Sequence, residues 1–426
     1  MNHDKESLKK ILDGKKVLYL PEFDLDKDMV GRWRHLWPSK YLGEYGLGYD
    51  IKGCMEPIIH RTTPEERRKN PKRHAVEIKQ DMNFNTTTNR AQKHMLNHFK
   101  QAIDESDFVV FGRTNNLFAS DVFEYAKNKG KVVGYEVDDL TFGEQGVFNK
   151  TDKPGDKSLG EYIGEHIKGA DFVTVSTPFL RDEVAKLRGS ADNIYVLKNR
   201  IDVDSLKDDM PAITPEQREQ IRIGWAGGKY HIDKLIGLKD TFIDLYKKHG
   251  KKLVFVIKGI HETNMSSENE RKQLEELRRI FEDNGISYEL HPYTKSGDWR
   301  QYYKDLSELD LDIFYAPLNN DAPHEAKSEL KYLESAYLGV PLVVPAIGGH
   351  KHAIEHDNNG ILIPPEEQVK GFTDSIDELI LNPEKRLRIA HNARKDLIEN
   401  YDVRRSSEEL ADIYSEQYQK KRSRGK

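Results

Sequence analysis

The sequence predicts an α/β fold of two doubly wound parallel-sheet domains that face each other across a cleft. Three observations indicate this fold. Short apolar runs rich in β-branched residues alternate with amphipathic stretches of helical length, each half of the chain repeats that pattern, and a polar segment separates the halves. The chain has 426 residues, which is enough for two or three domains that each bury a core.

The first half contains five candidate strands, and each is short and apolar. They are KVLYL (16 to 20), DFVVFG (107 to 112), KVVGYEV (131 to 137), DFVTVS (171 to 176) and NIYVLK (193 to 198). The stretch from 60 to 100 is polar, so we expect helices or a long insertion there. We assign residues 1–204 to the first Rossmann-like domain.

The second half repeats the arrangement with six candidate strands. They are IRIGWA (221 to 226), KLVFVIKG (252 to 259), SYELH (287 to 291), LDIFYA (311 to 316), PLVVPA (341 to 346) and GILIP (360 to 364). Residues 205–220 are polar, contain two prolines and lack an apolar period, which predicts a linker. We assign 221–395 to the second Rossmann-like domain and 396–426 to a helical tail that packs back toward the first.

Composition excludes several classes of protein. The chain has 67 Lys and Arg residues and 72 Asp and Glu residues, for a net charge of -5. This charge provides no overall basic field that would require nucleic acid as a partner. The single cysteine, Cys54, excludes an intrachain disulfide and fits a reducing compartment. The start lacks an apolar signal core, and no run approaches the roughly 18 apolar residues that span a bilayer. We expect a cytoplasmic protein without a transmembrane segment.

Polar residues follow the predicted strands, where open parallel sheets bind their ligands. In the first domain they are Arg32, Arg34, Arg113, Asp138, Asp139, Thr177 and Asn199. In the second they are the GGKYH segment at 227 to 231, Lys258 with Gly259, and the NNDAPHEAKS segment at 319 to 328. Two such edges that face each other across the linker predict a substrate cleft between the domains.

The segment HEAKSELKYLESAYLGVP, residues 324 to 341, predicts a helix with two distinct faces. Lys327, Lys331 and Glu334 fall within about 60° of one another on a helical period. Ser328 is the expected N-cap, and Gly339 the expected end. A helix start and two ammonium groups suit a diphosphate, and Glu334 suits the vicinal hydroxyls of a ribose. The alternative is a solvated face of Lys and Glu pairs.

The GGKYH segment supports a phosphate site from the neighbouring strand. Gly227 and Gly228 allow the backbone to approach a phosphate closely, and Lys229 or His231 extends toward the same ligand. A structural Gly-Gly turn is the alternative. Together with Lys258 and the helix after 327, these residues predict a nucleotide-diphosphate site in the second domain.

Two longer segments resemble the GT-B glycosyltransferases of the family 4 type, the group 1 glycosyltransferases. KYLESAYLGVPLVVPAIGGHKHAIEHDNNGILIPP is similar to the family pattern lEama.G.PvVas..GG..Eii.dg.nGllv, and DFVTVSTPFLRDEV with NIYVLKNRIDVDSL is similar to its end of the first domain. The resemblance runs from about residue 105 to 400. It implies a sugar nucleotide donor, most often a UDP-sugar, in the second domain, an acceptor in the first, retention, and no metal or tightly bound cofactor.

The resemblance also implies roles for single residues. Glu334 matches the second glutamate of the family's E-x(7)-E motif, which contacts the donor ribose. The first falls on Ala326, so Glu325 or Lys327 takes its role toward the donor sugar. In a retaining transfer the leaving diphosphate itself accepts the acceptor proton. Lys327 and Lys331 then stabilise phosphate charge, whereas Asp138 and Asp139 place the acceptor hydroxyl or cap the following helix.

Other functions stay open at this stage. A metal-dependent transferase would need an Asp-x-Asp loop, and DLD at 310 to 312 ends inside a predicted strand. An epimerase or phosphorylase on the same fold, and a catalytically weak subunit that only binds, are the remaining alternatives. The acceptor is a glycan, a lipid-linked diphosphate, teichoic acid or modified DNA, because the basic loop at 60 to 74 is either a polyanion site or merely solvated. We place Arg32, Arg34 and Arg113 on the acceptor side.

Overall fold

We describe the protein from a computed structural model. The structure describes residues 4–21, 32–51, 97, 99–112, 117–148, 157–213, 219–294 and 299–424, except for the side chains of residues 32, 117 and 118. The acceptor-side Arg113 and the basic loop at 60 to 74 lie outside these ranges. Among the helices of the described residues, none has both the length and the apolar character needed to cross a bilayer.

The first domain contains a six-stranded sheet in which all neighbouring strands are parallel. Its strands are β1 Lys16–Leu20, β2 Gly48–Ile51, β3 Phe108–Gly112, β4 Val132–Val137, β5 Phe172–Val175 and β6 Ile194–Val196, in the order β2-β1-β3-β4-β5-β6. Every residue of β3, β4 and β5 is buried, as expected for a parallel sheet covered on both faces.

The second domain contains another parallel six-stranded sheet. Its strands are β7 Ile221–Ala226, β8 Leu253–Lys258, β9 Tyr288–His291, β10 Ile313–Tyr315, β11 Leu342–Pro345 and β12 Ile361–Ile363, in the order β12-β11-β10-β7-β8-β9. The order reverses direction between β7 and β10. The loops after these two strands diverge there and leave a crevice, which is the usual ligand position in such sheets.

Helices cover both sheets. They are α1 Lys5–Leu12, α2 Trp37–Ser39, α3 Leu117–Asn128, α4 Leu159–Gly169, α5 Pro178–Arg188, α6 Val203–Leu206, α7 Ile232–Ile236, α8 Lys239–His249, α9 Glu268–Glu282, α10 Trp299–Ser307, α11 Ala322–Glu325, α12 Leu330–Leu338, α13 His350–Ala353, α14 Gln368–Leu381, α15 Pro383–Asn400 and α16 Val403–Arg424.

The eleven strands expected from the sequence are all present, with ends that differ by at most two residues. Strand β2 was not predicted, because its residues GYDI lie at the sheet edge and are exposed or half-buried, without an apolar run. The predicted N-cap of helix α12 is wrong by one residue. The helix begins at Leu330 with Glu329 as N-cap, so Ser328 does not cap it, whereas Gly339 ends it in the left-handed conformation at φ 72° as expected.

Aromatic residues connect the two domains. Trp33 and Trp37 of the first domain share one buried cluster with Trp299 and Tyr303 of the second, and the rings of Trp37 and Trp299 meet edge to face at 5.1 Å. The last helix, α16, contacts the first domain. Its Tyr414 hydroxyl lies 2.7 Å from that of Tyr19. The chain therefore crosses between the domains twice, and one apolar cluster joins Trp33 and Trp37 to the core beneath the second sheet.

Candidate functional site

The loops after β7 and β8 touch through their backbones. Gly227 N donates a hydrogen bond to Lys258 O at 3.0 Å. Gly259 adopts φ +96°, and a Cβ atom at this position would lie 1.9 Å from Gly227 O. Only glycine permits both the backbone conformation and this close approach. The GGKYH segment is consequently fixed at the carboxyl edge of the sheet, beside the point where the strand order reverses.

A group of cationic and imidazole side chains lies at this switch point, and we call it the cation cluster: His231, Lys234, His324, Lys327 and Lys331. Burial first, and then the charges of the other four residues, lower the pKa of His231 to about 4. Lys234 Nζ lies 3.1 Å from His231 Nδ1. A lysine can only donate, so Nδ1 accepts this bond and the ring's hydrogen is on Nε2. Fixed donors therefore concentrate where an anion would bind.

Helix α12 contributes Lys331 and Glu334 to this edge, as predicted. Lys331 Nζ donates to Glu334 Oε2 at 2.6 Å, and Tyr302 OH of helix α10 donates to Oε1 at 3.0 Å. The Glu334 side chain is only 4% exposed. A buried carboxylate with two fixed donors is held rigidly, so its remaining acceptor capacity has a defined direction.

Two predicted phosphate ligands occupy other positions. Lys229 Nζ is 2.8 Å from Glu270 at the start of helix α9 and also donates to Ser266. Lys258 is buried and donates to Asp305 at 3.1 Å. Both ammonium groups are thus neutralised within the second domain, away from the cation cluster. Lys234, which was not predicted, provides the cation of the first loop, one helical turn after His231.

The first domain contacts the cation cluster through Asp139. Lys327 Nζ donates to Asp139 Oδ1 at 2.6 Å across the domain boundary. Lys327 precedes helix α12, so its position is set by the loop and by this contact. The helical spacing that was expected to place it beside Lys331 and Glu334 does not apply to it. The next described helix, α4, begins at Leu159 with Ser158 as its cap. The alternative that Asp138 and Asp139 cap the following helix is therefore not what the structure contains.

Further contacts attach the loop before α12 to the first domain. Thr177 Oγ1 donates to Ala326 O at 3.4 Å, and Asn199 Nδ2 donates to Ser328 Oγ at 2.8 Å. Ala326 is fully buried within the hydrophobic cluster of the first domain. Residues 326–328 of the second domain are consequently held from the opposite side of the cleft.

Arg34 supports this arrangement from inside the first domain and does not line the cleft. Its side chain is 1% exposed, its Nε donates to Glu136 at 2.6 Å, and its Nη1 donates to Asn199 at 3.1 Å. We expected a direct acceptor contact, and the structure instead places Arg34 behind Asn199. The side chain of Arg32, in the same π-helical turn Arg32–Leu36, lies outside the described atoms.

Glu325 belongs to a second turn of the site. Its carboxylate accepts from Gly348 N at 3.2 Å and from Lys351 Nζ at 2.7 Å. Gly348 adopts φ +63°, and a Cβ there would lie 2.5 Å from Lys327 O. The Gly-Gly turn after β11 is therefore packed directly under the loop that carries Lys327, and Glu325 fastens the two together.

Sequence reasoning missed two residues of the cation cluster, Lys234 and His324. It also missed Asp321, which orients His324. Asp321 caps helix α11, accepting from His324 N at 3.0 Å, and it also bonds to the ring Nδ1 of His324. The sequence signal was an Asp followed by Ala-Pro, which is typical of a helix start. For Lys234, the signal was its spacing of three from His231.

Two cavities flank the second domain. One, of about 590 Å³, lies at the ends of β8 and β9, and its lining includes Lys258, Tyr293, Gln301 and Asp305. The other, of about 100 Å³, lies under the linker at the opposite edge of the sheet, where strands begin.

In the described ranges, no group of three or more His, Cys, Asp or Glu side chains is arranged to hold a metal ion. The DLD segment was expected to end inside a strand, but it lies just before β10, where Asp312 accepts from Arg222 N at 2.8 Å.

Residues 233–396 match the family model described as glycosyl transferases group 1. The second domain is therefore similar to the group 1 glycosyl transferases. The matched range includes Lys234 and the whole segment from α11 to α12, so it covers most of the cation cluster. His231 lies just before the matched range.

This chain is also similar, at low identity, to curated relatives and solved structures. Over 241 residues, 54% of this chain and 57% of the relative, the chain is 23% identical to a GDP-mannose-dependent alpha-(1-6)-phosphatidylinositol monomannoside mannosyltransferase of Mycobacterium tuberculosis. The match thus spans little more than half of that relative's length. TarM superposes with a TM-score of 0.65 at 13% identity, covering 95% of this chain and 99% of that one.

Anabaena HepE, in complex with UDP and glucose, superposes with a TM-score of 0.60 at 14% identity, covering 94% of this chain and 99% of that one. At such identities the similarity shows the fold alone. The GT-B fold predicted from the sequence, with two Rossmann-like domains, is confirmed by these superpositions and by the two parallel sheets.

Proposed function

We propose that this protein transfers a sugar from a nucleotide-diphosphate sugar to a hydroxyl acceptor, with retention at the anomeric carbon and without a metal ion. The observation that supports this proposal best is the cation cluster at the switch point of a group 1 transferase domain. Three lysines and the Nε2–H donor of His231 meet there beside a glycine loop. Such a site suits a dianionic leaving group better than a neutral substrate.

The donor diphosphate would be held by Lys234, Lys327 and Lys331. A hydrogen bond to a charged group contributes about 1.5–3 kcal/mol, so three of them approach the roughly 8 kcal/mol of a micromolar complex. The proposal needs no metal because these ammonium groups supply the positive charge that would otherwise offset the phosphates.

The nucleoside would extend from Glu334 toward the cavity at the ends of β8 and β9. Glu334 is suited to ribose hydroxyls, and Tyr302, its partner, sits in helix α10 next to Gln301, which lines the cavity. The cavity has the volume of a site for a small ligand. UDP is our first candidate because HepE was solved with UDP, and GDP is the second because of the GDP-mannose-dependent relative.

In the transfer itself, the cation cluster would stabilise charge as the sugar leaves the diphosphate. A phosphate oxygen of the leaving group takes the proton of the acceptor hydroxyl, so the protein needs to position this hydroxyl on the same face of the sugar. Asp139 and the neighbouring Asp138, at the end of β4, are the candidates for that role from the first domain. We propose a glycan or surface polysaccharide precursor as acceptor, including lipid-linked ones.

The test is a panel of UDP-glucose, UDP-N-acetylglucosamine and GDP-mannose, incubated with the protein first alone and then with candidate acceptors. Release of nucleoside diphosphate from one donor, with a product that keeps the donor anomer, is the expected result. Tight binding without turnover on any acceptor would favour a binding subunit. An inverted product would require one of the two aspartates to act as general base and would contradict retention.

A further inference from the structure

The proposed donor site contains many hydrogen-bond donors, and its buried carboxylate, Glu334, is the one proposed for the ribose hydroxyls. The lysines, His231 Nε2–H and the loop amides all donate, while Glu334 accepts from Tyr302 and Lys331. A transferred sugar presents several hydroxyl groups beside the diphosphate, and a hydroxyl that donates needs an acceptor on the protein. The site therefore requires an acceptor close to the cation cluster.

His324 has the position and the tautomer of such an acceptor. It is 9% exposed, and burial lowers its pKa most; Asp321 acts in the opposite direction, Lys234 and Lys327 in the same one, and the net lowering favours the neutral ring. Asp321 is an acceptor, so the bond between its carboxylate and Nδ1 fixes the hydrogen on Nδ1. Nε2, the nitrogen at the tip of the ring, then carries a lone pair. His231 has the opposite tautomer, because Lys234 donates to its Nδ1.

Two other candidates for this role are engaged elsewhere. Glu325 accepts from Gly348 N and Lys351 and so fastens the turn beneath the loop. Lys327 is a donor only, and it contacts Asp139. The backbone of His324 is also fixed, since helix α11 is capped by Asp321 and a Cβ on Gly348 would lie 2.8 Å from His324 O.

We propose that His324, oriented by Asp321, is a specificity-determining residue that accepts a hydrogen bond from one hydroxyl of the transferred sugar. This inference rests on the proposed function and adds to it the contact that distinguishes one sugar from another. It predicts discrimination between donors that share a nucleotide but differ in the presence or orientation of that hydroxyl.

The test compares binding of the nucleoside diphosphate with binding of the complete sugar nucleotide, both by calorimetry. His324→Ala should leave affinity for the nucleoside diphosphate unchanged and weaken the sugar nucleotide about three- to tenfold, the range of one neutral hydrogen bond. His391→Ala, on the exposed face of helix α15, is the matched control and should change neither. The same affinities are then measured with sugar nucleotides that each lack one hydroxyl. The effect of His324→Ala should disappear with one of these analogues and persist with the others.

Asp321→Ser is the second variant, and it separates orientation from folding. Asp321 Oδ1 accepts both from His324 N and from the ring Nδ1. Serine is a good N-cap and keeps the first bond, but its shorter side chain releases the ring, which then no longer holds its hydrogen on Nδ1. We expect the same selective loss as in His324→Ala. Equal losses for the nucleoside diphosphate and the sugar nucleotide would overturn the proposal in favour of phosphate binding. Intact binding of both with lost transfer would overturn it in favour of an acid-base role. If the unaltered protein bound none of the nucleotides, the proposed function itself would fail.

Discussion

Replacing Asp139 with asparagine should strengthen binding of a nucleoside diphosphate while it weakens transfer. In the structure Asp139 accepts from Lys327 at 2.6 Å, so the carboxylate of one domain and the phosphate of a donor would compete for one ammonium group. Asparagine keeps the size and one acceptor oxygen but removes the negative charge. Lys327 would then be available to the phosphate at a lower cost.

The expected gain is small because the pair is partly exposed. The side chains of Lys327 and Asp139 are 38% and 28% exposed, and ion pairs in such positions contribute about 0.2–1 kcal/mol. With about 1.4 kcal/mol for each factor of ten, the affinity should rise by at most about fivefold. Transfer should fall about a hundredfold or more, if Asp139 also places the acceptor hydroxyl.

Calorimetry with UDP and GDP measures the first effect, and product formation at saturating donor measures the second. Asp192→Asn is the control for the change in charge, because Asp192 is exposed and precedes strand β6, at the far edge of the same sheet. A lower affinity of Asp139→Asn would refute the reasoning, since it would mean that the carboxylate supports nucleotide binding. An unchanged affinity would indicate that Lys327 does not reach the phosphate.

Three further predictions concern the second domain. Lys331→Ala should weaken nucleoside diphosphate binding by about 1.5–3 kcal/mol and lower the Tm, because it leaves the buried Glu334 carboxylate without its cation. Adding Glu334→Gln should recover the Tm without recovering the affinity. Gly259→Ala should lower the Tm more than Gly130→Ala, since both have positive φ but only Gly259 has an atom within 4 Å of the added Cβ. Finally, an arginine partner lowers the pKa of Glu289 to about 2, so the contribution of this pair to stability is present above the unfolded pKa and lost as pH falls through about 2. Urea unfolding of the protein and of Glu289→Gln should differ near neutral pH and converge near pH 2.

Sequence reasoning predicted elements better than contacts. Each buried strand is a continuous apolar run, and parallel sheets covered on both faces require such runs, so the strand pattern and the two parallel-sheet domains could be predicted. The GT-B fold itself was implied by the family resemblance. The edge strand β2 has no apolar run and could not. Gly339 was identified as the end of helix α12 because a left-handed residue after a helix favours glycine.

The same contrast holds for the candidate site: the edge on which a residue lies could be predicted, and its pairing with another element could not. Lys331, Glu334 and His231 lie at the carboxyl edge, and their edge could be inferred because strand order and helix period fix which edge a residue occupies. Whether a lysine at that edge is available to a ligand depends on its neighbours. Lys229 pairs with Glu270, 41 residues later, and Arg34 pairs with Glu136, 102 residues later.

The sequence by itself therefore determined two parallel sheets, the edge at which each presents polar residues, and the helix that carries Lys331. Local periodicity and turn chemistry are sufficient for these features because they depend on neighbours along the chain. Only the tertiary structure decided which charges pair, that Lys327 meets Asp139, and that Asp321 fixes the tautomer of His324 beside Lys234. Ion pairs and ring orientations depend on distances of a few ångströms between separate elements, and a single sequence contains no measure of those distances.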